Sequence, residues 1–201
     1  MTPELAQLLA LAAALGWASG LPIYAVLFLT GIAGRLGWVE LPAGLQLLQH
    51  PVLLGASGFM LVAEFIADKI PGLDTLWDAL HTLIRIPAGA ALAAGVFGGD
   101  AGIWTTAAAL MGGTLAATAH TAKAATRAAV NTSPEPFSNI GLSLLGDVSV
   151  PVLLWLAWTH PLWFYAALAL SVVVAIALIV VLMRFLRALL RRFAPSPPAR
   201  A

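Results

Sequence analysis

The fold class this sequence predicts is all-α, a polytopic transmembrane helical bundle, and three observations predict it. Hydrophobic residues make up 61% of the chain and charged residues 9%, against about 45–50% apolar and about 25% charged in a soluble domain. The mean hydropathy is +0.94. The apolar residues also run together in stretches separated by Pro, Gly and charge, and about 20 of them make one membrane span. A soluble protein of this size needs a polar coat, whereas a membrane protein can turn apolar side chains to lipid.

The first apolar stretch runs from about Leu5 to Leu36, too long for one straight span. Gly20-Leu21-Pro22 interrupts it, and proline both removes a helix hydrogen bond and clashes with the preceding turn, so a kink or break is expected there. Before it stand Met1-Thr2-Pro3-Glu4 with no basic residue, the pattern of a retained segment and not of a cleaved signal peptide. A short amphipathic piece, Ala43 to Gln49, leads to His50-Pro51. The second span covers Val52 to Ile70, closed by Pro71-Gly72, and a third element runs from Leu73 to Phe97 with Pro87 inside. Gly98-Gly99-Asp100 reads as a turn. The fourth span, Ile103 to Val130, is rich in Ala, Thr and Gly, which let membrane helices approach closely. A polar loop from Asn131 to Pro136 precedes the fifth span, Phe137 to Trp158, with Pro151 inside. His160-Pro161 is a turn, and the last span runs from Leu162 to about Met183.

This gives about six spans in one transmembrane domain, residues 1–193, and a disordered cytoplasmic tail, residues 194–201. Whether residues 4–36 cross once or twice, and whether residues 73–85 cross or lie at the interface, stays open. Arg184, Arg187, Arg191 and Arg192 put the C-terminus in the cytoplasm by the positive-inside rule. Six spans then put the N-terminus there too, in a plasma or inner membrane, with Lys69, Lys123 and Arg127 on the same side and Arg35 the exception. Trp155, Trp158 and Trp163 suit the headgroup layer on the other.

The charges are few but patterned. Glu64 and Asp68 share a helix face, with Lys69 beside them. Asp74, Asp78, His81 and Arg85 follow offsets 0, 4, 7 and 11, and His120, Lys123, Arg127 and Asn131 follow 0, 3, 7 and 11. Asn139, Ser143 and Asp147 recur every four residues. Each set is one polar stripe on an apolar helix. A lipid-exposed charge costs at least about 2.5–3.5 kcal/mol, so the stripes must converge on one another or on water. The prolines also pair, Pro71 with Pro87 and Pro136 with Pro151, 16 and 15 residues apart, a weak internal repeat of the kind found in transporters with broken helices.

Three readings follow. In the first, the chain is a small transporter or channel for an ion, cation or proton-coupled, or for a small polar solute. Glu64, Asp68, Asp78 and Asp147 carry the cation or proton, Arg85, Lys123 and Arg127 are charge partners, and His81 and His120 can titrate near neutral pH. Lys69, Asp74, Asn131 and Asn139 complete the expected pathway, and Glu64, Asp68 and Asp78 are the candidate metal ligands. In the second, the charges form a neutral salt-bridge network that is structural or holds an anionic lipid headgroup. In the third, His120 or His81 is the acid or base of an enzyme acting on a lipid phosphate, although no hydrolase, metalloprotease or phosphate-loop signature is present. A net charge of +1 argues against nucleic acid, and the absence of Cys removes thiol chemistry. No cofactor is expected; the expected partners are the bilayer, the transported solute and, left open, a second copy of the chain.

Residues 58–71, from Gly58 through Glu64, Asp68 and Lys69 to Pro71, resemble the membrane-protein family catalogued as domain of unknown function 4126. So do residues 120–127, with His120, Lys123 and Arg127, and residues 131–139, with Asn131, Pro134, Pro136 and Asn139. The similarity covers about residues 5 to 185 and implies a membrane protein without implying an activity. A weaker likeness is to manganese and calcium–proton exchangers. Glu64 and Asp68 are four apart where that signature has three, an alanine replaces its glycine, and only one such motif is present.

Overall fold

The computed structural model describes residues 3–70, 72–98, 102–131 and 136–193, with residues 3, 136 and 189–193 described in backbone only. Pro71, the Gly99-Asp100 part of the predicted turn, residues 132–135 of the polar loop and the tail 194–201 lie outside the described residues. Among the described residues there are only helices: α1 (Pro3–Ser19), α2 (Ile23–Arg35), a short 3-10 helix (Ala43–Gln49), α3 (Pro51–Ala67), α4 (Leu73–Gly95), α5 (Ile103–Val130), α6 (Pro136–Thr159) and α7 (Pro161–Phe193). Pro and Gly end these helices where expected, with one difference. α7 continues ten residues past Met183, carrying Arg184 and Arg187 on its exposed surface.

The first apolar stretch breaks at Gly20-Leu21-Pro22, and the consequence is larger than a kink. The start of α1 lies at the end of α6 and the beginning of α7: the Gln7 side chain donates to the Trp158 carbonyl and the Tyr165 hydroxyl to the Ala6 carbonyl. Its far end lies beside the middle of α5, where Gly20 packs on Ala116 and Ala119. There the chain turns back. α2 runs to the 3-10 helix, where Arg35 donates to the Gln49 carbonyl, and that helix packs through Gly44 on Gly95 at the end of α4. So α2 returns to the end of the bundle from which α1 set out, and the pair forms a re-entrant hairpin. At about 1.5 Å per residue, α1 is about 26 Å long and α2 about 20 Å. Irregular backbone at such depth is tolerated only when protein covers it, and Ser19, Gly20 and Pro22 at the tip are buried.

Five helices, α3 to α7, then run the length of the bundle in alternating directions. The start of α1 and the end of α7 lie at opposite ends of the bundle, and the six expected spans are not all matched by helices long and apolar enough to cross a membrane among the described residues. A hydropathy run by itself does not distinguish one long helix from two short ones.

Two helices are long and apolar enough to cross a membrane unaided, Phe137–Thr159 and Pro161–Ala188; the 3-10 helix and α3, bent by 71° at their junction, would together make a third. α1 and α2 are too short singly. α4 carries Asp74, Asp78, His81 and Arg85, and α5 is diluted by Thr, Gly, His and Lys. Those charges point inward: all four on α4 are buried, in line with Gly89 and Leu92.

The core is built on α1, whose residues from Ala10 to Ser19 are buried. Its small side chains admit α4 and α5 to close range. A Cβ placed on Gly16 would stand 2.5 Å from the Gly112 Cα, and one on Gly112 would stand 2.5 Å from the Gly89 carbonyl oxygen. α1, α4 and α5 thus cross backbone to backbone at three glycines, the small-residue packing used where no water drives helices together. α6 leans away from α5 and leaves a wedge between α5, α6 and α7.

Candidate functional site

The polar stripes of α3, α4 and α5 converge just below the hairpin tip. Arg85, 0% exposed, is the centre. Its Nη2 donates to Glu64 Oε1 at 2.6 Å, and its Nη1 donates to Asp78 Oδ1 at 2.6 Å and to His120 Nδ1 at 3.2 Å. The guanidinium fork thereby ties α3, α4 and α5 together, which a lysine with its single ammonium could not do in the same geometry. Lys123 Nζ donates to Asp68 Oδ2 at 2.8 Å and lies 3.2 Å from Asp78 Oδ1. Arg127 lies 3.0 Å from Asp68 and 3.5 Å from both Asp74 and Asp78. These are ion-pair distances, but neither Nη atom of Arg127 makes an aligned hydrogen bond. Asp74 is held by the backbone N–H groups of Gly72 and Thr75 and by the Asn131 amide.

The hairpin tip enters this cluster directly. The first N–H groups of a helix have no partner inside it and carry its positive dipole end. In α2 one of them, Tyr24 N, donates to Glu64 Oε2 at 3.2 Å. Glu64 on α3 therefore caps α2, and the half-helix helps to hold a carboxylate deep in the bundle.

Two histidine relays flank Arg85. His81 Nδ1 meets the Trp77 carbonyl at 2.8 Å, an atom that can only accept, so Nδ1 carries the proton and Nε2 accepts from the Tyr24 hydroxyl at 3.1 Å. His81 also stacks on Trp77. His120 Nδ1 accepts from Arg85, so Nε2 donates to Thr82 Oγ1 at 2.7 Å, and Thr82 passes its own proton to the Asp78 carbonyl at 2.9 Å.

Among the described residues the inner cluster holds four carboxylates, Glu64, Asp68, Asp74 and Asp78, and three cations, Arg85, Lys123 and Arg127. Fully ionised, it carries a formal charge of −1. Two carboxylate oxygens, Asp68 Oδ1 and Asp78 Oδ2, are buried without a hydrogen-bond partner.

Of the thirteen residues expected to form the site, ten meet here: Glu64, Asp68, Asp74, Asp78, His81, Arg85, His120, Lys123, Arg127 and Asn131. Lys69 and Asp147 stand apart as an edge pair at 2.9 Å, with Ser143 3.3 Å from Lys69. Both side chains are about one-fifth exposed, so Lys69→Ala is expected to cost no more than about 1 kcal/mol. Thermal unfolding should shift by only a few degrees, and a loss as large as that of an inner-cluster variant would contradict the edge placement. Asn139 is buried on α6, but neither of its amide atoms finds a partner, and the structure does not bring it to the cluster. Glu64, Asp68 and Asp78 do not converge as metal ligands, because a Lys or Arg nitrogen stands on each. Among the described residues no group of three or more His, Asp or Glu is arranged to hold a metal.

Tyr24, Trp77 and Thr82 were not expected. Thr82 had a signal, lying four residues after Asp78 on the polar stripe of α4. Tyr24 had only its place two residues after Pro22.

A cavity of about 340 Å³ opens against the cluster in the wedge between α5, α6 and α7. Asp68, Lys123 and Arg127 form its polar end, and Trp17 and Leu21 of the hairpin tip reach into it. A smaller apolar cavity of about 250 Å³ lies between α2, the 3-10 helix and α3. Neither is lined by a histidine.

Fold and site together define an all-helical protein with membrane-span-capable helices and a buried ion-pair cluster at a helix break. The chain belongs to the family described as Domain of unknown function (DUF4126), whose model matches residues 9–181. No curated protein and no solved structure matches it.

Proposed function

We propose that the chain lies in a bilayer as five crossing helices, α3 to α7, with the α1–α2 hairpin dipping in from one face, and that it moves an ion or small polar solute in step with a proton or cation. The positive-inside rule places the end bearing Lys69, Lys123, Arg127, Arg184 and Arg187 in the cytoplasm; the hairpin then enters from the opposite face.

The observation that carries this reading is the excess carboxylate. An uncompensated charge in a low-dielectric interior costs several kcal/mol, so four buried carboxylates and three fixed cations call for one more positive charge, a proton or a small cation. Asp68 Oδ1 and Asp78 Oδ2, both buried without a hydrogen bond, are where it would sit. Three other features support a moving charge: a half-helix N-terminus pointed at a buried ion pair, two histidines already inside proton-passing chains, and a cavity whose lining includes Asp68. Binding and release would alternate the cluster between two charge states, and the hairpin tip is the element whose packing would register the change.

The test is ion flux in proteoliposomes under an imposed pH gradient, across a panel of cations, for wild type, Glu64→Gln and Asp68→Asn. Gradient-driven flux in wild type, lost in folded variants, is the expected result. No flux from wild type, with variants that only melt earlier, would overturn it in favour of the second reading, a structural network. That reading draws on one observation, that every charged group of the cluster has an oppositely charged partner within 3.5 Å.

A further inference from the structure

The cavity between α5, α6 and α7 has two unlike ends. Its walls are apolar, among them Trp17, Leu21, Leu153 and Leu178, and Leu145 at its rim is 67% exposed. In a bilayer such a rim faces lipid chains. Its polar end presents Lys123 and Arg127, the latter 2% exposed, with both Nη atoms lacking an aligned acceptor. The same end presents Asp68, whose Oδ1 is buried and lacks a donor. Missing donors and missing acceptors thus stand side by side, and buried polar groups are ordinarily satisfied.

One head group answers both. A phosphate oxygen would accept from Arg127 and Lys123, the charge-assisted pairing that guanidinium favours, while an ammonium N–H would donate to Asp68 Oδ1. Charge points the same way: a ligand with only negative charge would take the cluster from −1 to −2, whereas a zwitterion leaves the total unchanged and sets its cation on Asp68 Oδ1, the oxygen that Lys123 and Arg127 leave without a donor. The volume, about 340 Å³, is in the range of small-ligand pockets, about 300–1,000 Å³, enough for a head group and the first part of a chain. We propose that this cavity is a binding site for a zwitterionic amphiphile, its phosphate on Arg127 and Lys123, its ammonium on Asp68 and its acyl chains leaving past Leu145 into the bilayer. The site shares Asp68 Oδ1 with the transport reading, so the two occupants would compete there, but lipid retention is read without flux.

The experiment is retention of phosphatidylethanolamine, phosphatidylcholine and phosphatidylglycerol with identical acyl chains by the full-length protein in detergent, counted by native mass spectrometry without any gradient. Phosphatidylethanolamine should be held about tenfold more tightly than phosphatidylcholine, which has no N–H to give Asp68, the worth of one charge-assisted hydrogen bond. Asp68→Asn should bring the two level while leaving the helical circular dichroism intact. Gly146→Phe should abolish retention of all three, because Gly146 lines the cavity and a Cβ there meets nothing within 4 Å. Equal retention of ethanolamine and choline lipids by wild type would reduce the cavity to a place filled by any chain. Tighter phosphatidylglycerol would mean the cations alone read the phosphate, and full retention by Gly146→Phe would place the lipid elsewhere; each overturns the proposal. Absence of proteoliposome flux alongside selective retention would remove the transport reading and leave this site standing.

Discussion

Arg85→Met is expected to be the most damaging single substitution in the molecule. Among the described residues the guanidinium is the only partner of Glu64 Oε1, and it also binds Asp78 and His120, so its loss strands the Glu64 carboxylate, leaves Asp78 to Lys123 and Arg127, and takes the cluster from −1 to −2. Removing one partner of a buried ion pair costs about 3–5 kcal/mol, and in a chain of this length each kcal/mol is worth about 2–4 °C of melting temperature. A fall of about 10 °C or more, or failure to recover folded protein, is the predicted outcome in detergent melts. Arg85→Lys should fall between, because one ammonium cannot reproduce the fork. The informative variant is the triple Arg85→Met, Glu64→Gln, Asp78→Asn, which leaves Asp68 and Asp74 facing Lys123 and Arg127 in formal balance. Neutral replacement of a buried triad is often tolerated, so the triple should recover most of the stability while losing any flux. If Arg85→Met melts with wild type, the guanidinium does not hold the three helices together and the site has been misread.

How much of this could be read from the sequence follows from what is local. Asp74, Asp78, His81 and Arg85 stand on one face because helical spacing puts them there, and the same holds for His120, Lys123, Arg127 and Asn131. That these faces must meet followed from the cost of exposing charge to lipid. Pairing across helices is a different matter: nothing in residues 60–70 states that Glu64 will cap a helix that begins forty residues earlier. Asn139 shows the converse. It keeps perfect register with Ser143 and Asp147, yet it is buried on α6 with neither amide atom bonded to the cluster.

α1 is the clearest case of what hydropathy conceals. Without a charge between Leu5 and Ser19 it reads as a span fit to face lipid, but it is the most enclosed helix in the bundle. Its alanines and Gly16 are compatible with either place. What decides is the matching glycine on each of two other helices, a long-range coincidence among Gly16, Gly89 and Gly112. The repeat suggested by Pro87 and Pro151 has a similar standing. α4 and α6 each carry the proline internally and run in the same direction, while only α4 brings a charged face to the core.

That coincidence of glycines supplies the second large prediction. Gly112→Val should separate α4 from α5, because the new Cβ would stand 2.4 Å from the Ala93 Cβ and 2.5 Å from the Gly89 carbonyl oxygen, both on α4. One obstacle is backbone and the other a methyl fixed directly to it, so neither can swing aside as a long side chain would. Overpacking costs about 1–3 kcal/mol where side chains can adjust, so about 3 kcal/mol or more is expected here, read as a melting temperature lower by roughly 6–12 °C. Gly113→Val is the control one residue away: a Cβ there meets Ala90 Cβ at 3.4 Å, an ordinary contact, and should cost under about 1 kcal/mol. The consequence reaches the site, since Arg85 sits one turn from Gly89 on α4, and its partner His120 lies two turns past Gly112 on α5. Moving these helices apart lengthens the Arg85–His120 and Lys123–Asp78 contacts together, so partly folded Gly112→Val should lose flux more completely than its residual helix content implies. Near-equal melting of the two valine variants would mean that the three helices do not cross in backbone contact, and the hairpin tip would then lack the rigid seat that fixes it over Glu64.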